Sequence, residues 1–324
     1  MATSSQMKSL ITSHAARDDD RFYATALQVA AKAARAGQSR YATELRDAIN
    51  RAQTTAPAMA PVIELPHRSR PGLDLFECRE PHTILADLTL SGPIRESLLN
   101  VIHEQAQRHR LAAYDLEPSR KLLLTGPPGT GKTSTAEALA SELNRPFLTI
   151  KLEKLITRYM GETAAKLGTA FDLISEFDGV YLFDEVDALA SERAASNDVG
   201  EMRRILNSFL RFIEDDRSNS IIIAATNHPQ LLDSAFFRRF DEVLLYQKPT
   251  RTQALRILKD QLAAFDTTHV NFEGLAGLLP DLSQADLRSA ARSAAKYAIL
   301  YQHGAIRDEH LRRSLRAKRA YLYE

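Results

Sequence analysis

The stretch Gly126-Pro127-Pro128-Gly129-Thr130-Gly131-Lys132-Thr133 constrains this chain more than any other. It follows an apolar run at 122–124 and opens an alanine-rich segment of helical pattern, so the local order is strand, glycine-rich loop, helix. The glycines let the backbone curl until its N–H groups face one point, and the helix start adds its positive end there. Such a loop cradles phosphate. In this pattern Lys132 is expected to reach the β and γ phosphates of a nucleotide, and the Thr133 hydroxyl to hold Mg²⁺.

A strand that feeds such a loop needs a sheet around it. Short apolar runs at 122–124, 147–150, 180–183, 221–224 and 243–246 alternate with helical patterns, the mark of a parallel sheet covered by helices on both faces. Beyond Pro249 the strands stop. Ala254, Leu255, Leu258 and Leu262 mark one helix, and 282–300 and 308–322 suggest two more. Upstream, 18–52 carries two helical patterns, the first opened by Asp18, Asp19 and Asp20 and lined by Phe22, Ala26, Val29, Ala33 and Ala36. Pro57, Pro61, Pro66 and Pro71 then rule out a long helix. The expected organisation is a helical adaptor at 1–52, a proline-rich linker at 53–74, an α/β domain at 75–248 and a helical lid at 249–324.

The run Val180-Tyr181-Leu182-Phe183 delivers Asp184 and Glu185 to a strand end. In an open α/β sheet ligands sit at the carboxyl ends of strands, so these carboxylates and the glycine-rich loop are expected in one crevice. Asp184 suits Mg²⁺, held through water, and Glu185 suits the orientation or activation of an attacking water.

With both motifs in place, the chain resembles the AAA ATPases over roughly residues 75–300. The resemblance implies ATP and Mg²⁺ as ligands and a ring, by family precedent a hexamer. It places Asn227, at the end of Ile221-Ile222-Ile223-Ala224-Ala225-Thr226-Asn227, near the γ-phosphate and the nucleophilic water. It likens Arg238 and Arg239 to two arginines that reach the neighbouring subunit's nucleotide, although the Pro-Gly usually found between them is missing. Arginine suits that task because its planar guanidinium stays charged and can hold developing phosphoryl charge. The plainer alternative is a surface pair at a helix end.

The same resemblance puts Asp87 and Leu88 beside the adenine, and Ala285, within Ser283-Gln284-Ala285-Asp286-Leu287, at the start of the lid helix over the nucleotide. Many wider relatives carry an arginine where Ala285 stands, and its absence is typical of the narrower AAA group of unfoldases and disassembly machines. Tyr159, Met160 and Gly161 match the first pore loop of that group, where an aromatic and a flexible apolar side chain can grip varied polypeptide. Core packing beside Leu155 and Phe171 is the competing role for Tyr159. Leu322, Tyr323 and Glu324 resemble the tail that proteasome-activating ATPases insert into a peptidase ring, which implies a peptidase partner; a frayed helix end is the alternative.

Composition narrows the classes. The formal net charge of +1 gives no overall attraction to nucleic acid or anionic membrane. A basic stretch with Arg307, Arg312, Arg313, Arg316, Lys318 and Arg319 keeps open an ATPase that remodels nucleic acid. The lone Cys78 cannot form an internal disulfide, and no apolar run approaches the roughly 20 residues of a membrane span, so a cytoplasmic location is the expectation. The reading as a whole is an ATP-hydrolysing ring motor that unfolds or remodels protein by threading.

Overall fold

The computed structural model describes residues 25, 26, 29, 72–150, 155, 160–189, 199–301 and 304–320. The chain forms two compact units, Met1–Leu65 and Pro66–Glu324. In the first, Thr25, Ala26 and Val29 are helical and buried, and the last two lie on the apolar face of the first helical pattern.

The second unit is built on six strands: β1 (Phe76–Arg79), β2 (Lys121–Thr125), β3 (Phe147–Ile150), β4 (Val180–Phe183), β5 (Ile221–Thr226) and β6 (Glu242–Leu245). Their spatial order is β1-β3-β4-β5-β2-β6. Every pairing is parallel except β1 with β3. All residues of β2, β4 and β5 are buried, as expected of strands covered on both faces, and this is why they read as unbroken apolar runs.

The sheet is therefore mixed, not wholly parallel. Strand β1 adds an antiparallel edge that the sequence did not reveal. Phe76 and Cys78 turn towards the core, whereas Glu77 and Arg79 form an exposed ion pair on the other side. Four residues with one buried side chain carry too little alternation to be told from a loop. Just before it, Gly72 adopts φ of +86°, and a Cβ there would lie 2.7 Å from Thr169 Cγ2. The chain is thus pressed against the sheet domain from residue 72 onward.

Helices cover both faces: α1 (Gly92–Ala106), α2 (Arg108–Ala112), α3 (Lys132–Glu142), α4 (Met160–Glu176), α5 (Val199–Asp215) and α6 (Ser234–Phe237). Alternate residues of each strand serve opposite cores. Leu123, Tyr181, Phe183 and Ile222 pack with Phe171 of α4 and Phe209 of α5. Leu122, Leu124, Leu182 and Ile223 pack with Leu98 of α1 and Leu139 of α3. The lid has its own core, made by α7 (Arg251–Gln261), α8 (Gln284–Tyr301) and α9 (Asp308–Ala320). Ala290, Ala291, Ala294 and Ala298 are fully buried along α8, small enough for neighbouring helices to approach closely.

Candidate nucleotide site

Strand order brings the site together. β4, β5 and β2 are adjacent and parallel, so their carboxyl ends place Asp184, Asn227 and the glycine-rich loop side by side. The loop is held by its own backbone. Gly126 has φ of +139°, its N–H donates to Thr226 O at 3.3 Å, and a Cβ at this position would come within 2.2 Å of Tyr246 O. Only glycine fits there. Thr130 Oγ1 donates to Pro127 O at 2.8 Å and tightens the turn. Gly131, at φ of +102°, leads into α3, whose first residue is Lys132.

Lys132 is buried, and its ammonium donates to Gly126 O at 2.7 Å, Pro127 O at 3.0 Å and Asn227 Oδ1 at 2.7 Å. Burial lowers its pKa, while Asp184, Asp187 and Glu185 work the other way. Thr133 Oγ1 donates to Asp184 Oδ2 at 2.7 Å. This hydroxyl and carboxylate form a pair of hard oxygen donors that suits Mg²⁺, an ion that completes its shell with water and substrate phosphate.

Glu185 is exposed to the cleft. Its backbone is left-handed, with φ of +56°, and its N–H donates to Asp184 Oδ1 at 3.0 Å. The turn separates the two carboxylates, leaving Asp184 beside Thr133 and Glu185 facing open space. Two residues on, Asp187 supplies a link that the sequence reading did not single out. Its buried Oδ1 accepts from Thr226 Oγ1 at 2.9 Å and from the Asn227 N–H at 3.2 Å, so it ties the end of β5 to the segment after β4. The available signal was a carboxylate set between Val186 and Ala188 directly after a buried strand.

The lid closes one side of the cleft. Gly129 has φ of +72°, and a Cβ there would lie 2.6 Å from Ser283 Oγ, while the Ala285 N–H donates to Gly129 O at 3.0 Å. Gln284 Nε2 donates to Thr89 O at 2.8 Å, a second anchor. The cleft measures about 620 Å³ and is lined by loop residues, Asp184, Glu185 and Asn227 on one side and by α8 on the other. Asp87 and Leu88 line a separate cleft of about 580 Å³ with Arg256, Gln261 and Arg288. Arg288 borders both clefts.

Arg238 and Arg239 stand exposed at the end of α6, away from the lining of this cleft. Their segment is pinned on both sides. Asp233 caps α6 by accepting from the Phe236 N–H at 2.9 Å, and Phe236 and Phe240 are buried. Asp241 Oδ2 accepts from the N–H groups of Arg120 and Lys121 at 2.9 and 2.8 Å. The two arginines differ in their partners: Arg239 Nη1 reaches Glu214 Oε1 of its own chain at 2.7 Å, and Arg238 has no hydrogen-bond or ion-pair partner among the described residues. Met160 and Gly161 are the first residues of α4, and Tyr159 lies outside the described residues. So do Leu322, Tyr323 and Glu324.

Residues 122–248 match the model of the ATPase family associated with various cellular activities, AAA. The uncharacterized AAA family ATPase y4kL of Sinorhizobium fredii is 33% identical over 321 residues, which cover 97% of this chain and 95% of that protein. The chain belongs to the AAA family. It binds nucleotide and hydrolyses ATP. The proteasome-activating nucleotidase of Methanothermobacter thermautotrophicus is 37% identical over 194 residues, 57% of this chain and 47% of its own length. Proteasome-activating nucleotidase 2 of Haloferax volcanii is 37% identical over 199 residues, 58% and 48% respectively. This AAA ATPase thus aligns with about half the length of those nucleotidases. No helix among the described residues is long and apolar enough to cross a membrane.

Proposed function

We propose that this AAA ATPase works as a hexameric ring that hydrolyses MgATP and uses the energy to unfold or remodel protein by threading it through a central pore. The observation that carries the reading is the convergence of Lys132, Thr133, Asp184, Glu185 and Asn227 at the carboxyl ends of three adjacent strands. In this reading Lys132 and the loop N–H groups from Gly126 to Thr133 hold the phosphates. Thr133 and Asp184 hold Mg²⁺, which offsets phosphate charge when bound. Glu185 takes a proton from the water that attacks the γ-phosphorus as the bond from that phosphorus to the β-phosphate oxygen breaks and ADP leaves, and Asn227 orients that water. Arg238 and Arg239 serve a neighbouring subunit's site. Asp87 and Leu88 lie by the base, and Ala285 leaves room beside Gly129.

The work on protein rests on likeness to proteasome-activating nucleotidases and on Tyr159, Met160 and Gly161 as the gripping segment. A nucleic-acid motor is less well supported. In the basic helix α9, Arg312 pairs with Asp308, and Arg319 donates to Gly277 O at 2.9 Å, so two of its cations already serve the lid. The experiment is to trap clients on Glu185→Gln with ATP and identify them by mass spectrometry, alongside Tyr159→Ala tested on a client so found. Trapped proteins and a Tyr159→Ala variant that keeps basal ATPase activity but does not unfold them are expected. Unimpaired unfolding by Tyr159→Ala, or stimulation by DNA with steep salt dependence, would remove the threading mechanism. The same pull-down tests a peptidase partner, which we attach to Leu322, Tyr323 and Glu324: deleting those residues should release the peptidase, and retention would end that part of the proposal.

A further inference from the structure

The segment 81–88 lies outside every strand, so its backbone polar groups must find partners elsewhere. Helix α3 reaches them. Glu137 Oε1 accepts from the His82 N–H at 3.0 Å and the Thr83 N–H at 3.3 Å, and Glu142 Oε1 accepts from the Leu85 N–H at 3.1 Å. Ser141 Oγ donates to Pro81 O at 3.2 Å, and from α1 Arg95 Nη2 donates to Leu88 O at 3.0 Å. Glu142 is the last residue of α3, whose final turn holds no basic residue, and a carboxylate at the negative end of a helix is unfavourable there. Its charge is met from outside the helix, by the Leu85 N–H. The segment so held forms one wall of the cleft of about 580 Å³, where Thr83, Ala86, Asp87 and Leu88 line it together with Arg256 and Gln261 of α7.

We propose that Glu137 and Glu142 are positioning residues for the nucleotide base: they hold the 82–88 wall against the helix that carries the phosphate contacts, so that one rigid bracket receives both ends of the nucleotide. The inference rests on the nucleotide reading above, in which Asp87 and Leu88 lie by the base, and adds what fixes that wall. Helix α3 opens with Lys132 and Thr133. Glu137 and Glu142 follow about 8 and 15 Å further along the same axis. Hydrogen bonds to a carboxylate are roughly twice as strong as neutral ones, and a wall held in advance does not have to be ordered when the nucleotide arrives. Neither carboxylate lines either cleft, so both act through the backbone they hold and not by touching the ligand.

The test is calorimetric titration of MgATP and of magnesium tripolyphosphate, which has no base, into the full chain, with steady-state hydrolysis alongside. Glu137→Ala/Glu142→Ala should weaken MgATP by about tenfold and leave tripolyphosphate within about twofold, because only the base wall is loosened. KM for ATP should rise with kcat nearly unchanged, since Asp184, Glu185 and Asn227 follow β4 and β5 and not α3. Glu137→Gln and Glu142→Gln, which keep an oxygen acceptor, should retain most of the affinity. Glu142 is exposed, so Glu142→Ala reads the wall even where the double variant fails to fold, with a loss of about threefold expected for MgATP. Unchanged MgATP affinity in Glu142→Ala or in a folded double variant would overturn the inference. So would an equal loss of MgATP and tripolyphosphate, which would make the two carboxylates supports of the phosphate helix only. A wild-type chain that binds MgATP no tighter than tripolyphosphate, or Lys132→Ala that binds both normally, would instead strike the nucleotide reading itself and take the wall with it.

Discussion

The sheet side and the lid side of the nucleotide cleft are finished to different degrees. On the sheet side the polar groups hold one another: Lys132 with Asn227, Thr133 with Asp184, and Asp187 with Thr226 and the Asn227 backbone. On the lid side Arg288, Arg292 and Lys296 have no such partners among the described residues. The first arrangement fixes atoms in advance, as a site that must place a water against phosphorus requires. The second leaves donors whose best partner is an anion.

The contrast is broken most severely at Lys132. Lys132→Ala should abolish nucleotide binding, whereas Glu185→Gln should leave binding intact and cut turnover by about a hundredfold or more, because only water activation is lost. Equal loss of binding in both, measured by equilibrium titration and steady-state hydrolysis, would mean that the sheet side is not divided into phosphate-holding and water-activating parts.

The arginine pair sharpens the same distinction between engaged and open groups. Arg239 is joined to Glu214 of its own chain, and Arg238 is not joined to any described residue. Arg238→Ala should therefore slow hydrolysis by about a hundredfold without abolishing ATP binding, and Arg239→Ala by less. Subunits with Arg238→Ala mixed with subunits with Lys132→Ala should recover part of the activity, since a composite site can draw its loop from one chain and its arginine from the other. No recovery in assemblies that contain both would deny action in trans.

The smallest effect is expected at Asp187. Asp187→Asn keeps an acceptor for Thr226 but removes a buried charge, and kcat should fall by about tenfold or less with KM for ATP nearly unchanged. Asp187→Ala, which leaves the Thr226 hydroxyl and the Asn227 N–H without their acceptor, should also lower thermal stability by about 1–3 kcal/mol. A rise in KM alone would place Asp187 among the binding groups of the sheet side and not among those that position Asn227.

Local chemistry made much of this legible in advance. The glycine-rich loop needs a strand before it and a helix after it, and β2, β4 and β5 are buried on both faces, so each reads as an apolar run. The short β1 escaped because one strong apolar position cannot establish a period. Asp187 escaped for a different reason: its importance depends on β5 ending beside the segment after β4, and nothing within Val186-Asp187-Ala188 states that. The ion pair between Arg239 and Glu214 joins residues 25 apart in sequence and likewise has no local mark.

Sequence by itself determined the phosphate loop, the strands that buried apolar runs dictate, the two carboxylates and the periodic spacing of Arg288, Arg292 and Lys296. Those features are local, set by backbone freedom, side-chain polarity and helical period. Tertiary structure alone decided which face of α8 looks into the cleft. The Ala285 to Gly129 and Gln284 to Thr89 hydrogen bonds fix the rotation of that helix, and its buried alanines keep the opposite face in the lid core. A helix with a repeating cationic face carries the same pattern whether that face meets bulk water or a cleft, because only packing against the rest of the chain selects its direction.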